Sequence, residues 1–169
     1  MTLKQSYCCV LAAVASFCML TSEVRAQQQV PPPPRDPQVQ AIVDAVSSDH
    51  LEESIRTLAG FGTRHTLSDT TSDTRGIGAA RRWVHDQFQQ ISTACGGCLD
   101  VSYQRFVTGD DSGLPDSTVI VNVLAVQRGT THPNRYVIMS GDIDSRASDV
   151  MDGTSDAPGA NDNASGLAG

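Results

Sequence analysis

Residues 136–146 (YVIMSGDIDSR) decide how this chain folds, because a short apolar run is followed at once by a polar turn. The apolar run at 136–139 is typical of a buried strand. Residues 157–166 (APGANDNASG) then form a stretch of small residues that indicates the start of a helix. A strand that ends in a turn and leads towards a helix favours an α/β fold.

Helical periodicity dominates the earlier part of the chain. A first apolar face begins near residue 38, and a helix that Asp49 caps and Gly60 ends comes next. A further helix is predicted over residues 75–92, with Arg81 outside its apolar stripe. The apolar positions of these segments are Ile42, Val43 and Val46; Leu51, Ile55 and Leu58; and Ile77, Ala80, Val84, Phe88 and Ile91.

The hydrophobic period then changes from helical to extended. Residues 101–106 alternate between apolar and polar side chains, which predicts a partly exposed strand. Residues 118–126 (TVIVNVLAV) are nearly all apolar and predict a buried strand. A turn at 129–134 separates this strand from the one at 136–139. Helices followed by strands and a glycine-rich segment predict a three-layer α/β/α sandwich around a mixed central sheet.

The N-terminal residues 1–26 have the pattern of a secretory signal peptide, with Lys4, an apolar run at 7–20 and small residues at a cleavage site. A membrane anchor or a buried helix is the alternative, but the apolar run is shorter than the roughly 20 residues that span a bilayer. We therefore expect a secreted or periplasmic protein without membrane contact after cleavage. Residues 27–36 (QQQVPPPPRD) predict an extended, proline-rich linker.

Charge and cysteine content restrict the partners and the compartment. The formal net charge of -7 argues against nucleic acid, because phosphate binding needs clustered Lys and Arg. Cys95 and Cys98 lie outside the predicted signal peptide, and in an oxidising compartment we expect them to form a disulfide. A thioredoxin-like redox pair is the alternative, although the strand-then-helix context that it needs is absent.

Three carboxylates lie at two adjoining connections, which is where ligand sites gather in open α/β sheets. Asp142 and Asp144 share one side of the chain if it stays extended, and Asp162 precedes the predicted helix start. This arrangement predicts a cation site, although Asp, Asn, Gly and Ser are also ordinary turn residues. Calcium is the rival ion because further acids lie nearby, but no stretch fits the calcium-loop pattern. These further acids are Asp149, Asp152 and Asp156.

Residues 140–145 (SGDIDS) and 157–166 resemble the metal-binding signature of the co-catalytic, dinuclear zinc aminopeptidases. That superfamily also holds glutamate carboxypeptidases, glutaminyl cyclases and the transferrin-receptor ectodomain. Residues 61–65 (FGTRH) and 74–80 (TRGIGAA) are similar to the N-terminal region of bacterial members. The resemblance, which covers residues 51–169, implies two zinc ions, a peptide substrate and the zinc-peptidase type of α/β/α sandwich.

The resemblance also assigns roles to individual residues. Asp162 matches the carboxylate that bridges the two zinc ions, and Asp144 matches an acid that orients the first histidine ligand. Asp142 stands where the family usually has that histidine. A carboxylate also binds zinc, but a harder ion such as Mn²⁺ would suit the added negative charge. The general base and the remaining ligands would lie beyond Gly169.

We therefore expect residues 37–169 to be the N-terminal part of an exported aminopeptidase domain that is inactive by itself. Three alternatives remain open at this point. The first is a non-catalytic binding domain on the same fold, which Asp142 favours. The second is a carboxypeptidase or glutaminyl cyclase of the same superfamily, and the third is a calcium-stabilised exported domain.

Overall fold

The computed structural model describes residues 34–109, 113–115 and 117–169 of the 169-residue chain. The predicted signal peptide and most of the predicted linker lie outside the described residues, so these two assignments stay predictions. Within the described ranges, no helix is long and apolar enough to cross a membrane. The chain divides into two units, Met1–Ala45 and Val46–Gly169.

The first unit contributes helix α1 (Pro37–Asp44) to the described residues. Pro37 suits the first turn of a helix, because the N–H that proline lacks would have no helical partner there. The side chain of Asp36 caps the helix by accepting a hydrogen bond of 2.8 Å from the amide of Gln38. The predicted helix near residue 38 is therefore confirmed, although none of its residues is buried.

Helix α2 (Ser48–Gly60) confirms the second predicted helix and its end. The prediction that Asp49 caps this helix is wrong. Ser47 is the N-cap, and its hydroxyl accepts a hydrogen bond of 3.3 Å from the amide of His50. A capping side chain needs extended backbone just before the first turn, which Ser47 has, whereas Asp49 already lies within that turn.

A two-stranded antiparallel sheet consists of β1 (Leu99–Val107) and β2 (Val119–Gln127), with Tyr103 opposite Val123. The prediction that the second of these strands is buried is wrong, because Val121 is its one buried residue in the described part of the chain. Only one face of a two-stranded sheet is covered here, so the alternate apolar side chains stay exposed.

Helix α3 (Gly76–Ala94) confirms the predicted helix over residues 75–92 and packs against both strands. The N-terminal part of its predicted apolar stripe is buried, as at Ile77 and Val84. Arg81, which we expected outside the stripe, is only 7% exposed. Contact with the sheet as well as with the core widens the buried side of the helix, and this places the guanidinium inside.

The core of the second unit joins α2 and α3 to the C-terminal segment. That segment is a wide, kinked turn, Ala160–Ala164, whose backbone is not helical at Asp162 and Asn163, followed by the short helix α4 (Ser165–Ala168). The buried cluster consists of Leu58, Ala80, Val84 and Ala164, with Ile55, Phe61, Trp83, Phe88, Val123, Ile143 and Leu167 packed around it. Since Ile143 and Ala164 belong to the two signature segments, the core anchors both of them.

Residues 136–139, predicted to be a buried strand, do not form one. Their side chains are 72% to 93% exposed. A strand needs a hydrogen-bonded neighbour, and no strand among the described residues pairs with this run. The structure combines helices with a small antiparallel sheet, which is compatible with the α/β class, whereas the three-layer sandwich with a mixed central sheet is not confirmed.

The loop between α3 and β1 contains the predicted disulfide, which joins Cys95 to Cys98. The two intervening residues, Gly96 and Gly97, have φ angles of 76° and 87°. Glycine adopts this left-handed region without the steric cost that a Cβ atom would bring. The tight four-residue loop thus depends on both glycines.

Candidate functional site

Arg64, in the loop after α2, lies at the centre of the region that holds the two signature segments. Its side chain is 0% exposed. Nε donates to the carbonyl of Ile143 at 2.8 Å, and Nη1 donates to the carbonyls of Leu58 at 2.9 Å and Pro158 at 2.6 Å. Nη2 donates to the carbonyl of Gly159 at 3.0 Å. One buried guanidinium therefore binds the end of α2 and both signature segments.

Ser145 makes a second connection between the same segments. Its hydroxyl accepts a hydrogen bond of 2.9 Å from the amide of Arg64 and donates one of 2.6 Å to the carbonyl of Ala157. The amide of Ala157 in turn donates to the carbonyl of Gly62 at 2.8 Å. The Ser145 hydroxyl is therefore buried and occupied by backbone groups.

The three predicted site carboxylates are exposed on the segments that Arg64 and Ser145 hold. Asp142 and Asp144 flank Ile143, whose side chain packs against the core, so the two acids lie on the solvent side of an extended segment. Asp162 lies in the wide turn before α4, with φ of -127° and ψ of 95°, and its peptide bond to Asn163 is cis. The local backbone therefore presents all three side chains to solvent.

These carboxylates do not form a complete metal centre by themselves. In the described ranges, no group of three or more His, Cys, Asp or Glu side chains is placed to hold a metal ion. Zinc in proteins usually takes three or four protein ligands, so the described residues do not fit a closed zinc site. The assignment of Asp142, Asp144 and Asp162 to a metal site stays a prediction.

Two buried arginines, Arg64 and Arg81, interact electrostatically with the first signature segment. Burial lowers the pKa of Arg64, and the negative charge of Asp144 partly offsets this effect. Burial also lowers the pKa of Arg81, with a smaller contribution in the same direction from Arg105 and an opposing one from Asp144. The negative charge of Asp144 therefore acts on both buried guanidinium groups and favours their charged form.

Histidine is a common metal ligand, but His65 has a structural role. Its Nδ1 accepts a hydrogen bond of 3.0 Å from the amide of Leu67, so Nε2 carries the proton and donates to the carbonyl of Val150 at 3.0 Å. The ring is buried and joins the loop before α3 to residues 149–156, which we call the acidic loop. Both ring nitrogens are occupied, which leaves neither free for a metal ion.

The acidic loop uses its carboxylates in local contacts, which weakens the case for calcium. Asp149 accepts a hydrogen bond of 2.9 Å from the amide of Met151. Asp152 accepts from Thr154 and Ser155, and Asp156 pairs with Arg75 at 2.7 Å. Each of the three acids is satisfied by its own turn or by an arginine, as in ordinary Asx turns.

Sequence reasoning did not find the roles of Arg64, Ser145 and His65. Arg64 and His65 belong to residues 61–65 (FGTRH). The one distinguishing feature of this segment in the sequence is its similarity to bacterial members of the aminopeptidase family. Arginine is almost never fully buried unless its charge and donors find partners. Its partners here are backbone carbonyls up to 95 positions away, which no local pattern reveals.

Comparison with curated proteins gives homologues with a consistent name. The chain is 47% identical over 139 residues to a "Probable zinc metalloprotease" of Pyrenophora teres f. teres, covering 82% of this chain and 29% of that protein. A protein of the same description from Pyricularia oryzae is 42% identical over 133 residues, which are 79% of this chain and 26% of the relative. The chain is thus similar to part of each of these proteins, which share the name probable zinc metalloprotease.

A relative from Leptosphaeria maculans, also named a probable zinc metalloprotease, is 45% identical over 136 residues, or 80% of this chain and 32% of its own length. The chain therefore spans about three tenths of the length of the curated zinc metalloproteases that it matches. No protein-family model matches the chain, and no solved structure matches it to significance.

Proposed function

We propose that this chain is part of an exported, zinc-dependent aminopeptidase that removes N-terminal residues from peptides. The observation that carries the proposal is the buried guanidinium of Arg64. It donates hydrogen bonds to both segments of the signature that resembles the dinuclear zinc aminopeptidases. The homology to probable zinc metalloproteases supports the class of enzyme. The aminopeptidase type, the two zinc ions and the zinc-peptidase type of three-layer sandwich rest on the signature.

In this proposal, the three exposed acids have different tasks. Asp162 and Asp142 would hold metal, and Asp162 matches the bridging carboxylate of the family that the signature resembles. Asp144 matches the family's orienting acid, but with Asp142 in place of the histidine it has no imidazole to orient and would itself become a ligand. Its negative charge acts on the buried guanidinium groups of Arg64 and Arg81. Bound zinc would supply Lewis acidity and lower the pKa of a bound water. The described residues do not bring together enough ligands for this, so the activity is proposed for the whole protein.

Export is proposed from residues 1–26, and the Cys95–Cys98 disulfide supports it because disulfides persist in oxidising compartments. The proposed substrate is a peptide rather than a nucleic acid, consistent with the net charge of -7.

The metal content of the full-length protein tests the proposal. We expect Asp162→Ala to lose bound zinc and to lose hydrolysis of peptides with a free N-terminus. Asp100→Ala is the matched control, since Asp100 is an exposed carboxylate on β1 that pairs with Arg128. Zinc per polypeptide is measured by elemental analysis after gel filtration, and hydrolysis is measured on free and N-acetylated peptides. Unchanged zinc content in Asp162→Ala would contradict the proposal.

One observation favours a second candidate, a non-catalytic binding domain on the same fold. Asp142 replaces the histidine that the zinc aminopeptidases usually have, which adds negative charge and a shorter side chain. The same substrate panel separates the two candidates, because a binding domain would hydrolyse neither free nor N-acetylated peptides. Cleavage of C-terminal residues or cyclisation of N-terminal glutamine would instead indicate another activity of the superfamily.

A further inference from the structure

The guanidinium of Arg64 binds only backbone carbonyls in the described residues, which is unusual for a buried cation. Its four acceptors belong to three separate stretches, the end of α2, residues 143–145 and residues 157–159. Hydrogen bonds to carbonyls fix the main chain rather than another side chain. Arg64 therefore sets how far the two signature segments lie from each other and from α2.

The main chain around Arg64 is fixed by further bonds that do not involve its side chain. Its amide donates to Ser145 Oγ, and its carbonyl accepts from the Ser145 amide at 3.4 Å. Thr63 and Ala157 form a parallel β-bridge. We call Arg64 and Ser145, with the carbonyls that they bind, the Arg64 junction. We expect the hydrogen bonds of Arg64 and those of Ser145 to strengthen each other, because bonds in one network orient and polarise their neighbours.

The junction lies very close to the proposed ligands along the chain. The Ile143 carbonyl that Arg64 binds separates Asp142 from Asp144, and Ser145 directly follows Asp144. Gly159, whose carbonyl Arg64 also binds, is three residues before Asp162. At most three peptide units thus connect each carboxylate to a backbone position that the junction holds.

The packing around Gly159 is so close that the junction has no room for a side chain at this position. Its φ of 49° lies in the left-handed region. A Cβ atom at this position would lie 2.4 Å from the Asp162 carbonyl oxygen, 2.6 Å from Ser145 Cβ and 3.1 Å from Arg64 Nη2. The turn that carries Asp162 is therefore in direct contact with both side chains of the junction.

We propose that Arg64 and Ser145 are positioning residues that set the separation between the Asp142–Asp144 segment and the Asp162 turn for metal binding. The proposal rests on the proposed function, since it takes these acids as ligands. It assigns Arg64 no contact with metal or substrate. Its effect on the metal passes through the backbone of residues 143 and 159, to which its side chain is bonded.

Arginine is suited to this task in a way that lysine is not. The planar guanidinium carries five N–H donors in a fixed arrangement, whereas the ammonium of lysine has three donors on a flexible stem. Four carbonyls in different directions match the first group and exceed the second. Arg64→Lys therefore keeps the charge but breaks the junction, which separates geometry from electrostatics.

The test compares Arg64→Lys, Ser145→Ala and the double variant with the wild type in the full-length protein. Arg82→Lys is the matched control, because Arg82 is an arginine of α3 that binds the carbonyls of Thr70 and Ser72 outside the junction. Hydrogen exchange of residues 141–147 and 157–164 is measured without metal. Zinc affinity is measured by competition with a chromophoric chelator, at a temperature well below the unfolding of every variant.

We expect Arg64→Lys and Ser145→Ala to lose protection in both signature segments together, while α3 stays protected. Zinc affinity should fall roughly 10–100-fold, the range seen when residues that support metal ligands are removed. The double variant should lose less affinity than the two single losses combined, because both changes break one junction. Arg82→Lys should change neither readout.

Two results would overturn the proposal, and a third separates it from the proposed function. Protection that is unchanged in Arg64→Lys would show that the junction does not hold the segments. Lost protection with unchanged zinc affinity would show that it does not position ligands. If the wild-type protein binds no zinc, the proposed function fails and the positioning of ligands fails with it, whereas exchange still shows whether Arg64 joins the segments.

Discussion

At the scale of single residues, two buried arginines behave in opposite ways. Arg64 satisfies its guanidinium with four carbonyls, whereas the buried Nε of Arg81 has no hydrogen-bond partner in the described part of the chain. A buried polar group without a partner has lost its hydrogen bonds to water and has gained none within the protein. Burial should therefore make Arg81 a cost to stability and Arg64 a support, although both carry the same charge.

Replacing each arginine with methionine tests this contrast. Arg81→Met removes a buried Nε that has no partner and keeps much of the side-chain volume, so we expect the free energy of unfolding to stay within about 1 kcal/mol or to rise. Arg64→Met leaves four carbonyls, that of Leu58 fully buried and the others partly buried, without their donor, and should lower it by about 2 kcal/mol or more. Urea unfolding at constant m-value gives both numbers. A large loss in Arg81→Met would mean that its attraction to Asp144 outweighs its desolvation.

At the scale of elements, two loops use the same short turn. Asp69 Oδ1 accepts hydrogen bonds from Thr71 and Ser72, and Asp152 Oδ1 accepts from Thr154 and Ser155 in the same pattern. An arginine then pairs with the acid that ends each turn, Asp73 with Arg82 and Asp156 with Arg75. These turns shape the loop before α3 and the acidic loop.

The loop before α3 is held against the helix by close backbone contact. A Cβ atom at Gly78 would lie 2.2 Å from the carbonyl oxygen of Thr70, and one at Gly76 would lie 2.3 Å from that of Asp69. Glycine is required at both positions because no other side chain fits. The Asp69 turn and the first turn of α3 therefore form one packed unit.

Acid titration tests the two turns. Hydrogen bonds from Thr71 and Ser72 lower the pKa of Asp69 below its ordinary 3.8, and those from Ser155 and Thr154 lower the pKa of Asp152 further. A lowered folded-state pKa means that the charged carboxylate stabilises the fold above about pH 3.8 and that this contribution is lost as pH falls below it.

The Asp69→Asn, Asp152→Asn double variant should therefore have a lower Tm than the wild type at neutral pH. Because the wild type loses its carboxylate contribution in acid, the difference in Tm should shrink between pH 4 and pH 2. Thermal unfolding followed by circular dichroism across this range measures it. Asp100→Asn is the control, and a Tm difference that stays constant with pH in the double variant would contradict the assignment.

At the scale of the whole molecule, the described surface carries a continuous apolar run. Val137, Ile138 and Met139 are 92%, 86% and 93% exposed. Exposed runs of apolar residues with unpaired backbone groups favour association between chains. In contrast, Val121 on β2 is buried against the rest of the unit. We therefore expect a charged side chain to have opposite effects in the exposed run at 137–139 and at the buried Val121.

Introducing lysine at each position measures the difference. We expect Ile138→Lys in the 169-residue chain to reduce self-association without lowering Tm, since the side chain is already in water. Val121→Lys should lower Tm strongly, because it buries an unpaired charge. Sedimentation velocity and thermal unfolding give both readouts. A fall in Tm for Ile138→Lys would show that residues 136–139 are packed in solution.

The sequence by itself determined the local elements of this protein and the place of its candidate site. Apolar periodicity located α2 and α3 within two residues, and alternation and β-branching located β1 and β2. Such patterns are local, since they follow from 3.6 or two residues per repeat. The signature at residues 140–145 and 157–166 is local in the same sense, and its resemblance to zinc peptidases agrees with the name of the homologues.

Only the tertiary structure decided which polar groups hold the molecule together. The burial of Arg64, the two bonds of the Ser145 hydroxyl and the inward position of Arg81 depend on residues that are distant in sequence. The strand predicted at 136–139 failed for the same reason, because a strand exists only where a neighbour pairs with it. Periodicity records which side of an element is apolar, whereas hydrogen-bond partners across the fold are set only when distant segments meet.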